Sequence, residues 1–376
     1  MRARLLAPAV AIAGVLVLTA RVASASCTTP LTSPCIDSDT LWPHAGPSEF
    51  LTVGSAETTQ AERVAFGLVG SYLMRPVVIH VPSPAGSDRP AIDNQFDATF
   101  LFAYGVTDRL ELDLALPVTV FQDGAGTSPL TGGGDVPATA TRDMRFGFTY
   151  ALVAHPKKHP WRHDASGFGL AARFEMSAPT GDDDAFAAER GGVYVPSIAA
   201  DFRSYRLTLG AELGARIRPA TDFAGARIGT QGFIGAGVGL DVLAQHDLLT
   251  ITGEVRALPV FTEQATVSQS VSGLTSSANG TFIMPMEWMV TARTAPLEGG
   301  DLSLQLGVGG GIPTSVDPSG HIFSPITTPA FRVALGITFA PRGRDTDEDG
   351  VPDALDRCPL EPGPAKSERG AGCPEK

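Results

Sequence analysis

The stretch Phe331-Arg-Val-Ala-Leu-Gly-Ile-Thr-Phe339 alternates in character along its whole length. Its odd-numbered residues are all apolar, whereas its even-numbered residues are arginine, alanine, glycine and threonine. Because successive side chains of an extended strand point to opposite faces, one face of this strand is apolar and the other is small or polar. This pattern is typical of a strand that crosses a membrane in a closed barrel.

The same alternation recurs upstream, at 110–116, 168–176, 206–213, 282–288 and 302–308. A tilted strand needs about 10–12 residues to cross a bilayer, whereas strands of soluble proteins average about five or six. On this length criterion the sequence predicts about twelve strands, at 63–73, 95–105, 108–120, 142–153, 167–178, 194–203, 206–217, 229–242, 248–262, 281–294, 301–312 and 329–340.

The predicted connections alternate between short and long. Short links fall near 105–107, 204–205, 244–246 and 297–300, and long links rich in Gly, Ser, Thr and Pro fall at 82–94, 121–141, 179–193, 262–280 and 313–328. This plan favours an outer-membrane barrel over the alternative, a soluble β-sandwich. We therefore predict an all-β fold, an antiparallel transmembrane β-barrel of about 12 strands over residues 62–341. Only the basic link at 154–166 is longer than the plan expects.

Composition agrees with this fold and excludes several classes of protein. The 42 glycines and 30 prolines suit short strands and turns better than long helices. A formal net charge of −12 and a pI of about 5 argue against nucleic-acid binding. The sequence has no Gly-x-Ser-x-Gly, His-Glu-x-x-His or phosphate-loop motif, so we do not predict an enzyme.

The beginning of the chain predicts export. Basic residues at 2–4, an apolar run at 5–20 and the cleavage-site pattern Ala23-Ser-Ala25 identify residues 1–25 as a secretory signal peptide. A membrane anchor is the alternative, but the apolar run is short and Arg21 interrupts it. Residues 26–61 are then predicted to be an N-terminal periplasmic segment.

The four cysteines of an exported chain suggest two disulfides. Three pairings are possible, and we favour Cys27–Cys35 with Cys358–Cys373 because these two pairs lie at opposite ends of the chain. Lipidation of Cys27 is a weaker alternative, since Ser24 stands where a large apolar residue is expected.

Residues 342–376 form a tail with a pattern of acidic residues. Aspartates fall at positions 1, 3, 5, 9 and 12 of a loop and a glycine at position 6: Asp345, Asp347, Asp349, Asp353, Asp356 and Gly350. A hard cation such as Ca²⁺ binds to oxygen ligands in such a loop. An EF-hand has similar spacing, but prolines at both flanks argue against its two helices. A solvated acidic linker is the remaining alternative.

The tail, with its final Gly372-Cys-Pro374, resembles a thrombospondin type-3 repeat. The resemblance implies that the five aspartates and the carbonyl of Val351 bind Ca²⁺, and that Cys358 pairs with Cys373. A signal peptide, a barrel and such a repeat together resemble the OmpA family of Gram-negative bacteria. In that family a peptidoglycan-binding domain follows the repeat. Because this chain stops at Lys376, peptidoglycan binding is not expected.

The charges predicted to face the lumen have mixed signs. Mixed signs favour a paired network that fills the lumen over an open pore. These residues are Glu111, Asp113, Arg173, Glu175, Asp201, Arg203, Arg206, Glu212, Arg216, Glu254, Arg256, Glu287, Arg293 and Arg332.

The sequence therefore predicts an outer-membrane protein with a structural role in the cell envelope and with both terminal segments in the periplasm. The alternative is a passive channel or transporter for small solutes. The expected partners are outer-membrane lipid and lipopolysaccharide. The outer-membrane assembly machinery is a further expected partner, because the last strand ends on the aromatic residue Phe339.

Overall fold

A computed structural model describes residues 34–79, 89–128, 134–154, 167–223, 226–243, 249–262, 268–271, 274–277, 283–296, 301–316, 322–323, 327–341, 347, 351, 356–364 and 367–375. The predicted signal peptide and Cys27 lie outside these residues. Within the described ranges, no helix is long and apolar enough to cross a membrane.

Twelve antiparallel strands form one sheet. They are β1 (Val64–Ile79), β2 (Arg89–Gly105), β3 (Leu110–Asp123), β4 (Met144–Val153), β5 (Gly167–Ala178), β6 (Val193–Ser204), β7 (Leu207–Arg216), β8 (Gln231–Leu243), β9 (Leu249–Ala257), β10 (Met286–Thr294), β11 (Leu302–Gly311) and β12 (Phe331–Phe339). Each strand pairs with its sequence neighbours, and β1 also pairs with β12. The sheet is therefore a closed barrel, which confirms the predicted fold class.

The side-chain alternation of β12 agrees with the sequence prediction. Phe331 and Leu335 are 40% and 55% exposed on the outside, whereas Arg332 and Ala334 are 0% and 1% exposed. The apolar outer face suits lipid, and the closed sheet leaves no strand edge unpaired in the bilayer.

Strand β1 is longer than the sequence predicted. Pro76 lies within the added residues, and a proline cannot donate a ladder hydrogen bond. In the structure the register of β1 against β2 shifts between Met74 and Val77, and Arg75 has a φ of 51°. A bulge therefore accommodates the proline, and the strand continues to Ile79.

The two ends of the barrel differ. Short turns join β2 to β3 and β6 to β7 at the end where β1 begins and β12 ends, here called the short-turn end. The opposite, long-loop end carries the longer connections, with short additional strands at Ala140–Thr141, Thr221–Phe223, Ala226–Ile228, Ser268–Val271, Leu274–Ser277, Ser315–Val316 and Ile322–Phe323.

An apolar cluster lies at the long-loop end. The rings of Phe186 and Phe223 pack in a T-shaped arrangement, with ring centroids 5.3 Å apart. The cluster draws on strand ends and loops from around the barrel, and also on Ile36, which precedes the first strand: Ile36, Val77, Ile79, Ala91, Ile92, Val136, Phe186, Phe223 and Ile228. Residues before β1 therefore reach the far end of the barrel.

Candidate functional site: the lumen and its N-terminal segment

Residues 34–61, the lumenal segment, lie inside the barrel. At the long-loop end, the amide of Ser38 donates to the carbonyl of Phe186 at 3.0 Å. At the short-turn end, Ala61 forms a bridge with Gly105 of β2. The prediction that 26–61 is an N-terminal periplasmic segment therefore does not describe residues 34–61, most of whose partners are inward-facing side chains of the strands.

Gly105 allows the lumenal segment to leave the barrel in close contact with the wall. A Cβ atom at this position would overlap the backbone carbonyl oxygens of Thr59 and Gln60. The amide of Glu62 donates to the Gly105 carbonyl at 2.7 Å. Only glycine permits this approach of two backbones.

Arginines of the wall bind the part of the segment near the long-loop end. The guanidinium of Arg332 lies 2.8 Å from the carboxylate of Asp39 and 3.1 Å from that of Glu287. Arg142, in the connection before β4, pairs with Asp37 and lies 3.0 Å from Asp97. Both arginines therefore join a carboxylate of the segment to a carboxylate of the wall.

These ion pairs shift the pKa values of the groups outside the strands. Burial raises the pKa of Asp39, but Arg332 and Arg142 more than offset it and hold that pKa below its usual value. Burial lowers the pKa of Arg142, but Asp37, Asp97 and Asp39 more than offset it and raise that pKa. Both groups are therefore ionised at neutral pH.

Carboxylates of the wall bind backbone amides of the segment nearer the short-turn end. Glu254 accepts from the amides of Leu51 at 3.0 Å and Thr52 at 2.7 Å. Three further backbone amides of the segment each donate to one carboxylate of the wall: Gly54 to Glu212 at 2.7 Å, Ala56 to Asp201 at 2.8 Å and Thr59 to Glu111 at 2.6 Å. Charged acceptors make such bonds stronger than neutral ones.

His44 lies between these two regions. Its Nε2 is 3.4 Å from Glu212 and its Nδ1 is 4.0 Å from Glu175. Its Nδ1 is also 2.5 Å from the guanidinium of Arg173. The imidazole thus connects the segment to β5 and β7 in the middle of the lumen.

Trp42 of the segment is held between two guanidinium groups. Arg145 lies 4.8 Å from the ring centroid and Arg216 lies 4.6 Å from it. Both distances are within the range of cation–π attraction. The indole also packs against Val193 and Val195 at the start of β6.

Phe50 packs on two glycines that face each other on neighbouring strands. Gly210 of β7 pairs with Gly237 of β8, and the ring of Phe50 covers both positions. A Cβ atom at Gly237 would lie 2.7 Å from the Phe50 ring, too close for a normal contact. The small residues of this part of the wall therefore make room for the segment.

We expect Gly237→Ala to loosen the segment around Phe50. Overpacking of this kind costs about 1–3 kcal/mol, so hydrogen exchange of the Leu51 and Thr52 amides should become roughly tenfold faster. Gly239→Ala is the matched control, because its Cβ would be 3.5 Å from its nearest neighbour, Thr252. Equal exchange rates in the two variants would show that Phe50 does not anchor the segment.

The structure places most of the predicted lumenal charges inside the barrel, with one correction. Arg206 lies in the turn between β6 and β7, is exposed, and stacks on Tyr205 at 5.3 Å. Arg206 lies between the end of β6 and the start of β7. The sequence alternation alone does not show where a strand ends, so it placed this residue in the lumen. The mixed charges do form a paired network, but the partners on the lumenal segment were missed.

The tail is described only in part. Asp345, Asp349 and Asp353 lie outside the described residues, whereas Val351 is buried and Asp356 accepts from the amide of Cys358 at 2.7 Å. Cys358 and Cys373 form the predicted disulfide. Cys35 is also disulfide-bonded, at 2% exposure. No cluster of three potential metal ligands occurs among the described residues, so calcium binding by Asp347 and its neighbours stays a prediction.

The closed barrel with its apolar outer face defines the chain as an outer-membrane β-barrel protein. No protein-family model and no curated protein matches the sequence. Among solved structures, the chain is similar to the COG4313 outer membrane channel from Pseudomonas putida F1, with 15% identity, 76% of this chain and 98% of that chain covered, and a TM-score of 0.50. It also matches a Pseudomonas aeruginosa FadL homologue at 11% identity, with 83% and 100% covered and a TM-score of 0.38.

Proposed function

We propose that the protein is an outer-membrane channel for small solutes, and that its own lumenal segment closes it. The observation that carries the proposal is the nature of the contacts between segment and wall. Besides the apolar contacts of Trp42 and Phe50, many of them are ion pairs and hydrogen bonds to charged groups, which water or a polar solute can replace when the segment moves. If the segment served only to stabilise the barrel, apolar packing in the lumen would stabilise it at least as well as buried ion pairs do.

The fold supports a channel more than a purely structural role. The similar protein from Pseudomonas putida F1 is an outer membrane channel by name. A structural role, which the sequence analysis favoured, rested on mixed lumenal charges that pair with each other. Many of those charges also pair with the segment, which is joined to the wall through one covalent connection, at β1, within the described residues.

A disulfide between the segment and the wall tests the proposal. A Cβ atom at Gly235 would lie 3.3 Å from a γ-carbon of Val53, so Val53→Cys with Gly235→Cys suits a disulfide. In liposome-swelling assays with glycine or arabinose, the oxidised double variant should admit solute at least about tenfold more slowly than after reduction.

The single variants Val53→Cys and Gly235→Cys are the controls, because reduction also acts on the native disulfides. They should swell at equal rates with and without reductant. Equal swelling of the oxidised and reduced double variant would show that solute does not pass where the segment lies. No swelling in any state, from a folded and inserted barrel, would support the structural role instead.

We propose further that the tail binds Ca²⁺ in the periplasm, through Asp345, Asp347, Asp349, Asp353, Asp356 and the Val351 carbonyl. The support is the aspartate spacing, together with a disulfide that closes the tail between Cys358 and Cys373. The tail follows β12, at the short-turn end, which is the periplasmic side in the outer-membrane plan.

We expect calorimetric titration of the mature chain with Ca²⁺ to show a bound ion, and Asp347→Asn to weaken its binding at least about tenfold. Glu348→Gln is the matched control, since Glu348 falls at a position without a predicted ligand. Equal binding by both variants, or no binding by the unmodified chain, would make the tail an acidic linker.

A further inference from the structure

Residues 37–42 of the lumenal segment contact five arginines of the wall. Arg142 and Arg332 pair with the carboxylates of Asp37 and Asp39. Arg145 and Arg216 lie on the Trp42 ring. Arg256 donates to the hydroxyl of Thr40 at 3.0 Å. A short peptide that carries two carboxylates and one aromatic ring thus occupies an arginine-rich part of the lumen.

Arg216 lacks an anionic partner. The residue is 4% exposed, and its Nη2 donates to the carbonyl of Thr40 at 2.9 Å. Its Nε has no hydrogen-bond partner. Among the described residues, no carboxylate lies within ion-pair distance of it. A buried guanidinium without a counter-charge is costly, and the wall retains it beside a displaceable segment. This arrangement indicates a position that receives an anion.

The surroundings of Trp42 suit a planar ring. The guanidinium groups of Arg145 and Arg216 lie 4.8 Å and 4.6 Å from the centroid of the indole. The indole also lines one cavity together with Asp37, Asp39, Arg142 and Arg145. Planar cation–π contacts favour aromatic over aliphatic groups. A ligand with an aromatic ring and a carboxylate would therefore make the same kinds of contact with the wall as the segment does.

We propose that residues 37–42 occupy the binding site of a small aromatic carboxylate. The ring of the ligand lies between Arg145 and Arg216, and its carboxylate meets the guanidinium groups that Asp37 and Asp39 pair with. The segment is an internal competitor for this site. The inference rests on the proposed function, because the ligand reaches the site when the segment moves.

The test uses the mature chain with Asp39→Asn and Trp42→Ala, which removes one of the two competing carboxylates and the competing ring but leaves the wall intact. Calorimetric titration compares phenylacetate with 2-phenylethylamine, which has the opposite charge, and with acetate, which has no ring. Phenylacetate should bind the double variant at least about tenfold more tightly than the unmodified chain, because the intramolecular competitor lowers apparent affinity. The other two probes should bind weakly in both.

Adding Arg216→Gln should abolish the gain, whereas Arg206→Gln, in the exposed turn, should preserve it. Equal binding of phenylacetate by the double variant and the unmodified chain would overturn the proposal. So would binding that Arg216→Gln leaves unchanged, or a preference for 2-phenylethylamine, which would assign the lumen to cations. The disulfide of the Val53→Cys, Gly235→Cys variant distinguishes this proposal from the proposed channel function. If reduction of that disulfide speeds swelling but phenylacetate does not bind, only the proposed ligand class is refuted.

Discussion

Replacing residues 37–58 with a Gly-Ser linker of equal length is expected to raise single-channel conductance in a planar bilayer at least about tenfold. The segment fills the lumen from the long-loop end to the short-turn end, so its removal leaves a water-filled passage. The charges of the wall then face water instead of the segment, which avoids the cost of leaving them dry and unpaired.

Removal of residues 343–376 is the control for this replacement. These residues follow β12 and lie outside the barrel strands, so conductance should stay at the level of the unmodified chain. A folded replacement variant with unchanged conductance would contradict the proposal that the segment closes the channel. The folded state can be checked by the heat-modifiable mobility of the barrel on a gel.

The sequence predicted the barrel well because strands that cross a membrane obey a local rule. In β12, five apolar side chains face outward and the even-numbered ones face inward, as the period of two requires. The end of β1 was missed because Pro76 normally ends pairing, and only the bulge between Met74 and Val77 reveals how the strand continues.

The lumenal segment could not be predicted by the same rule. Its acids, prolines, glycines and serines are typical of a solvated linker, and its burial depends on partners far away in the sequence. Asp39 pairs with Arg332, and Leu51 donates to Glu254. The signal available in the sequence was indirect: inward arginines such as Arg216 have no acidic partner on adjacent strands.

Arg332→Met is expected to lower the free energy of unfolding by about 3–5 kcal/mol. Arg332 is fully buried, and its guanidinium contacts Asp39, Glu287 and the hydroxyl of Ser71 at 2.8, 3.1 and 2.9 Å. Methionine keeps much of the volume but removes the ion pair of Asp39 and leaves Glu287 with Arg256 alone, at 3.4 Å. Denaturant unfolding in detergent or lipid measures the loss, and Arg206→Met in the exposed turn should change stability little.

A double-mutant cycle measures how much of this loss in stability comes from the interaction between Arg332 and Asp39. Because Arg332→Met harms the protein mainly by removing the ion pair of Asp39, Asp39→Asn should cost less in the Arg332→Met variant than in the unmodified chain. The interaction energy should be on the order of 1–3 kcal/mol. Strict additivity would mean that Arg332 stabilises the strands of the wall and not the docked segment. Coupling of the expected size would mean that the wall arginines hold the segment in the lumen, so a solute that competes for them can open the channel.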